Sequence, residues 1–491
     1  MKKYVLAIDQ GTTSSRAILF DHDGKVFYKT QTELDCFYPQ DGWVEENAID
    51  IWLSVFNVCY ELLAKTNLTY DDIDCVGITN QRETTVIWDK LTGMPVYNAI
   101  VWQSRQSADI CNKLEDYKDI IKKKTGLVLN PYFSASKIRW ILDKIENGQE
   151  RAEKGELLFG TIDTWLMYKM SKGKIFKTDV TNASRTMLFN INTLEYDDEL
   201  LKIFNIPRIM LPEVCASSCD FGFASTFKST LKITGVAGDQ QAALFGQTCF
   251  EKSMAKSTYG TGCFVLMNIG DVPQESKNGL ITTIAWQIGD KVCYALEGSV
   301  FISGAVVRWL RDEMKMIKTS EESETHATKV DSDLGVYVVP AFVGFGAPYW
   351  DDKCRGAIFG LTRNVTKNHF IRACLNSMAL QAKDLIRTME KDIGSTIIDL
   401  TVDGGATANN YLLQYQADIL NTSIYLPECL ETTAKGAAFL AGLGNKFWKN
   451  LEELKGIHRI AKIFNPTFDQ ERIEEIDRKW LKAIEATRIF K

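Results

Sequence analysis

The chain has 491 residues, 45% of them hydrophobic and 24% charged, and a formal net charge of −6. At about 100 to 200 residues per domain that length suggests two or three domains, and the ordinary apolar fraction excludes a disordered chain. The mild acidity gives no reason to expect a nucleic acid or an anionic membrane as partner.

The start, MKKYVLAID, meets Asp9 after a five-residue apolar run, too short for a secretory signal. YVLAI (4–8) and SRAILF (15–20) flank a Gln-Gly-Thr-Thr turn and predict an antiparallel hairpin, with KVFYKTQTEL as a third strand. In 49–65, Ile49, Trp52, Phe56, Cys59, Leu62 and Leu63 mark one helical face. IDCVGIT (73–79) reads as a short apolar strand.

From about residue 250 the opening pattern returns, since SMAKSTYGTGCFVLMN (253–268) is again strand, Gly/Thr turn and strand. A polar stretch, 318–333, predicts an exposed helix and loop. In 369–390, Phe370, Cys374, Met378, Ala382, Leu385 and Met389 keep the spacing of a core helix. IIDLTVDGG then predicts a strand, Asn409 a helix start, and 468–490 a charged terminal helix. Strands and helices alternating throughout indicate an α/β protein of two related halves with a cleft between them.

The twelve cysteines contain no C-x-x-C pair, and the four histidines (His22, His326, His369, His458) lie far apart. Zinc-site spacing is therefore absent, and reduced thiols in a cytoplasmic protein are expected. No uncharged run approaches the length of a membrane span.

Four stretches carry candidate chemistry. In VLAIDQGTTSSRAILFD the turn amides, the hydroxyls of Thr12, Thr13 and Ser14 and the charge of Arg16 suit an anion, and Asp9 suits Mg²⁺ held through water. An ordinary hairpin explains the same residues. In GVAGDQQAALFG, Asp239 opens a helix, where it serves either as an N-cap or as a base aimed into a cleft. In VDGGATANNYLLQ two glycines let a flat ligand approach, and Asn409 offers a hydrogen bond, unless this is a plain strand–turn–helix link. In TNQRETTVIW the donors of Arg82 and acceptors of Glu83 suit a vicinal diol, though adjacent opposite charges are commonly a solvated pair. The chain has no G-x-x-x-x-G-K-[ST] phosphate loop.

Taken in order, AIDQGTTSSRA, TNQRETTV, NPYFSASKIRWI, GVAGDQQAALFG, STYGTGCF and VDGGATANN resemble the FGGY family of carbohydrate kinases. The likeness runs from Tyr4 to about Trp448 and is closest to the members that act on glycerol. It implies an actin/Hsp70/hexokinase-type fold of two ribonuclease-H-like domains, 1–247 for glycerol and phosphate and 248–491 for nucleotide. It also implies ATP-dependent phosphorylation of glycerol to sn-glycerol 3-phosphate, with ATP/ADP and Mg²⁺ as cofactors, in a cytoplasmic homodimer or homotetramer.

Carried over residue by residue, the resemblance gives Thr12, Thr13, Ser14 and Arg16 to the phosphates and Thr261, Gly304, Gly405 and Asn409 to the rest of the nucleotide. Arg82, Glu83, Tyr132, Asp239 and Gln240 match glycerol positions, Trp102 and Phe264 would wall its carbon face, Asp239 would be the base, and Asp9 would organise Mg²⁺. Arg308 stands where such kinases usually have glutamine. The stretch 220–233 lacks both the Gly-Gly-x-x-Arg pattern for fructose 1,6-bisphosphate and the phosphorylated histidine of some members. A kinase for another small polyol or ketose, and an actin- or Hsp70-like ATPase, remain the alternatives.

Overall fold

β1 (Tyr4–Gln10) and β2 (Ser14–Phe20) pair antiparallel, with Asp9 opposite Arg16, and β3 (Val26–Glu33) continues the ladder. The computed structural model describes residues 3–351 and 353–490. Met1, Lys2 and Lys491, the ends of the expected halves and of the leader and C-terminal readings, lie outside them.

β1 is apolar from Val5 to Ile8 because it is buried on both faces. Leu6 and Ile8 pack with α1 (Ala48–Thr66), while Val5 and Ala7 pack with a late helix, α8 (Thr432–Gly444). The buried stripe of α1 is Ile51, Trp52, Val55, Val58, Cys59 and Leu62. It is rotated from the expected face, because Ile49, Phe56 and Leu63 sit on its rim rather than in the core.

Two strands parallel to β1 complete the first half. β4 (Ile73–Asn80) pairs with β1, and β6 (Lys232–Gly238) pairs with β4, while β5 (Ser218–Phe223) runs antiparallel to β6. The helix α2 (Ser134–Lys144) lies between β4 and β5 in sequence, and α3 (Asp239–Gly246) leaves the end of β6.

The second half repeats this order. β7 (Ala255–Tyr259) and β8 (Cys263–Gly270) form the second hairpin, and β9 (Ile281–Ile288) and β10 (Lys291–Val300) extend it. α4 (Gly304–Asp312), α5 (Glu322–Ala327) and α6 (Lys367–Ile393) follow. All six residues expected on the core face of α6 are buried. β11 (Leu400–Asp403) then pairs parallel with β7, α7 (Asn410–Leu420) crosses, and β12 (Ile424–Pro427) pairs parallel with β11. β13 (Ile460–Phe464) closes the edge after α8, and α9 (Gln470–Ile489) is the charged terminal helix.

These thirteen strands join one sheet, ordered β13-β12-β11-β7-β8-β10-β9-β5-β6-β4-β1-β2-β3. The segments β3-β2-β1-β4-β6 and β10-β8-β7-β11-β12 have the same order and the same parallel and antiparallel pairings, so the repeat read from the two hairpins is a repeat of topology. A single pair, Ser218 with Ile288, carries the sheet from one half to the other.

α8 belongs in sequence to the second half but packs beneath the first. A methyl on Gly436 would lie 1.8 Å from the Ala242 carbonyl of α3, and one on Gly246 would lie 2.0 Å from the Thr432 carbonyl. Glycine is required there for close helix approach. Among the described residues no helix is long and apolar enough to cross a membrane.

Candidate active site

The β1–β2 turn closes with the Gly11 amide donating to the Ser14 carbonyl at 2.9 Å. The amides of Thr12 and Thr13 have no acceptor among the described residues, so they are open to an anion. Ser14 is buried and Thr13 exposed. Arg16 Nη1 lies 3.5 Å from both Asp9 Oδ2 and Glu431 Oε2. Burial raises the Asp9 carboxyl to about 6 against the pull of Arg16, and Asp239 and Glu431 push the same way.

The β7–β8 turn is built alike, the Gly260 amide donating to the Gly262 carbonyl at 2.9 Å. Beside it opens a cavity of about 370 Å³ lined by Thr261, Gly304, Arg308, Gly405 and Asn409 with residues of α5 and α6. The four nucleotide residues expected from the second half are thus brought together, with Arg308 among them. Arg308 Nη2 donates to Thr261 Oγ1 at 2.6 Å. The stretch expected as an exposed helix and loop supplies a cavity wall, and Ser323 and Ala327 of α5 are buried.

Two adjacent glycines differ here. Gly404 has φ +92°, and a methyl on it would lie 2.5 Å from the Tyr259 carbonyl, so the protein itself demands glycine. A methyl on Gly405 would meet nothing within 4 Å. Asn409 caps α7, its Oδ1 accepting the Leu412 amide at 2.9 Å, and its Nδ2 donates to Ser323 Oγ at 3.3 Å.

A buried charge cluster lies at the end of β4 and the start of α3. Arg82 is 3% and Glu83 1% exposed, so the solvated surface pair is not what forms. Both Nη atoms of Arg82 are committed to the protein: Nη1 to Glu297 Oε2 at 2.5 Å and Gln241 Oε1 at 3.2 Å, Nη2 to Glu297 Oε1 at 3.0 Å. Its Nε faces Asp239 Oδ1 at 3.2 Å. Arg185 donates through Nε to Glu83 Oε1 at 2.6 Å and through Nη2 to Glu297 Oε1 at 3.0 Å. Burial alone would raise Glu297, but Arg185 and Arg82 outweigh it and hold the carboxyl down at about 2.

Asp239 is the first residue of α3, and Gly238 occupies the cap position. The plain N-cap role is therefore not the one Asp239 plays. Gly238 is fixed because a methyl there would lie 2.7 Å from Arg82 Cγ. Oδ1 of Asp239 accepts the Gln240 amide at 2.7 Å and is ion-paired with the Arg82 Nε. Oδ2 has no donor among the described residues, and the side chain is 33% exposed.

Trp102 joins this cluster to the phosphate turn, its Nε1 donating to Thr12 Oγ1 at 2.9 Å. Its ring meets Tyr132 edge-on, centroids 5.5 Å apart. Lys137 of α2 braces the Tyr132 loop by donating to the carbonyls of Pro131, Tyr132 and Phe133, and burial lowers its ammonium to about 7. Phe264 is half-buried on β8, opposite Thr258 and Ser299.

Sequence reasoning did not single out Arg185, Glu297 or Lys256. Lys256 is fully buried on β7, donating to Gln240 Oε1 and, at 2.8 Å, to Thr258 Oγ1. The signal available was the isolated charge in otherwise apolar or small-residue stretches such as YALEGSV and SMAKSTY.

Residues 4–246 match the N-terminal domain of the FGGY family of carbohydrate kinases, and residues 255–444 match its C-terminal domain. A glycerol kinase of Listeria monocytogenes serotype 4a is 55% identical, with all of both chains aligned. A glycerol kinase of Geobacillus sp. is 54% identical over the same full share. The crystal structure of Plasmodium falciparum glycerol kinase with ADP superposes with a TM-score of 0.93 at 37% identity, covering 99% of this chain and 98% of that one. A ligand-bound xylulose kinase from Lactobacillus acidophilus, 21% identical and covering 99% of this chain and 97% of that one, shares the fold with a TM-score of 0.89.

Proposed function

The chain belongs to the FGGY family of carbohydrate kinases, and we propose that it transfers the γ-phosphoryl group of ATP to a terminal hydroxyl of glycerol, giving sn-glycerol 3-phosphate and ADP. One observation carries this reading. The Trp102–Thr12 hydrogen bond of 2.9 Å sets the wall of the polyol pocket one contact from the phosphate turn, so acceptor and phosphoryl donor meet there.

Asp239 Oδ2 takes the proton of the attacking hydroxyl, and that oxygen bonds to the γ-phosphorus as the bond from phosphorus to the β–γ bridging oxygen breaks. Arg82 Nε holds Oδ1 and so aims Oδ2. Tyr132, Trp102 and Phe264 close on the carbon face, and Glu83 and Gln240 meet the remaining hydroxyls. Thr12, Thr13, Ser14 and Arg16 receive the phosphates, and the cavity at Thr261, Gly304, Gly405 and Asn409 receives the nucleoside. Catalysis is mainly positioning and charge stabilisation.

Mg²⁺ suits Asp9, a carboxylate raised by burial with Arg16 no nearer than 3.5 Å, and so short of positive charge. Asp9 would hold the ion through water, and the bound ion would neutralise the nucleotide phosphates. The proposal extends to a phosphate and glycerol domain at 1–247 and a nucleotide domain at 248–491, which the restart of the strand order at β7 supports. It also extends to a homodimer or homotetramer in the cytoplasm, where the twelve free cysteines suit a reducing compartment.

The test compares kcat/KM for glycerol, xylulose and gluconate. Glycerol should exceed both by at least about 10², as expected when the others must force a pocket sized for three carbons. Preference for either sugar, or ATP hydrolysis indifferent to glycerol and to Arg82→Ala, would overturn the assignment.

A further inference from the structure

Lys256 is a buried cation that the mechanism above leaves unused. Three other cleft cations are matched to carboxylates: Arg82 and Arg185 to Glu83 and Glu297, and Arg16 to Asp9 and Glu431. Lys256 has no carboxylate within 4.0 Å among the described residues. A buried ammonium without an ion pair is costly unless its donors are satisfied, and Lys256 places two of its three on Gln240 Oε1 and Thr258 Oγ1. Burial lowers its pKa below the ordinary lysine value, while Asp403 and Asp239 pull it back up.

The contact with Gln240 decides that residue's chemistry. A primary amide has an acceptor end and a donor end, and an ammonium can only donate. The carbonyl end of Gln240 therefore faces Lys256, and the Nε2 donors point the other way. Gln240 is half-exposed at the start of α3, and Nε2 meets no acceptor among the described residues.

Lys256 also sits at a junction. It comes from β7, whose turn at 260–262 borders the nucleotide cavity, while Gln240 lies next to Asp239 in the other half. Its second anchor, Thr258, stands beside Asp403 across the parallel β7–β11 pair.

We propose that Lys256 is a positioning residue of the transfer site: it turns the Gln240 amide so that its N–H donors meet a substrate hydroxyl oxygen, and it ties that contact to the strand carrying the nucleotide turn. This rests on the polyol-kinase reading of the cleft. With Asp239 as acceptor for one hydroxyl and Gln240 as fixed donor to another, the pair suits a polyol, each hydroxyl of which can give or take a hydrogen bond.

The test is a double-mutant cycle on the full chain, following ADP formation from MgATP and glycerol. Lys256→Met should raise the KM for glycerol about tenfold, the size of one hydrogen bond, and change the KM for ATP less than about twofold. Gln240→Ala should do the same, and the double variant should be no worse than either alone within about twofold, since both remove one contact. If Lys256→Met does not fold, Thr258→Val removes the other anchor of Nζ while keeping the charge, and the same cycle is run with it. Effects that multiply, or a loss confined to kcat, would overturn the inference while leaving the kinase reading intact. A wild-type chain that forms no ADP with glycerol overturns that reading and the inference together.

Discussion

Arg82 and Glu297, 215 residues apart in sequence, face each other through two parallel hydrogen bonds of 2.5 and 3.0 Å, with both side chains buried. Glu297 also takes Arg185 at 3.0 Å, so one carboxylate from β10 holds two guanidinium groups from the first half. Glu297→Gln keeps the shape and removes the charge. Because breaking a buried pair leaves uncompensated cations, it should cost roughly 3 to 5 kcal/mol of stability and raise the KM for glycerol as Arg82 loses its seat. Urea unfolding and steady-state kinetics check both, and an unchanged unfolding midpoint would mean the arginines find other anions.

Asp239→Asn keeps the Oδ1 contacts and removes the proton acceptor. The expected result is a drop in kcat of about 10²- to 10⁴-fold with nucleotide affinity close to wild type, since no nucleotide residue is touched. Isothermal titration with ADP beside kcat separates the two. A kcat within a few fold of wild type would take Asp239 out of the mechanism.

What could be read from the sequence was what is local. Both hairpins announce themselves through apolar runs around Gly/Thr turns, and α6 through its spacing. The duplicated topology follows because the same strand–turn–strand pattern occurs twice. Partners far apart in sequence could not be read. Nothing in TNASRTML tells that Arg185 meets Glu297, 112 residues on, and Arg82–Glu83 reads more readily as a solvated surface pair, although both side chains are buried. Asp239 reads as a cap because Asp commonly is one, but the cap falls one residue earlier, on Gly238.

Asp9 should make the nucleotide-free protein less stable as pH rises. Its carboxyl is raised from 3.8 to about 6 by burial, so the folded state favours the protonated form. That contribution is fully present below the unfolded value and is lost as pH climbs through the folded one. Asp9→Asn should therefore raise the unfolding temperature of the nucleotide-free protein, more at pH 7.5 than at pH 5, while MgATP-dependent activity falls. A stabilisation equal at both pH values would mean that Asp9 is not held protonated by burial.

Gly404 and Gly405 separate the needs of the fold from those of the ligand. Gly404→Ala puts a methyl 2.5 Å from the Tyr259 carbonyl at a φ of +92°, and should destabilise the protein by roughly 1 to 3 kcal/mol. Gly405→Ala meets no protein atom within 4 Å, so the unfolding temperature should hold or rise slightly as the unfolded chain loses freedom. Its methyl projects from the wall of the cavity assigned to the nucleoside, so the KM for ATP should rise while the KM for glycerol stays put. If Gly405→Ala leaves the ATP KM unchanged, the nucleoside does not lie against this turn. The double glycine would then answer only to Tyr259.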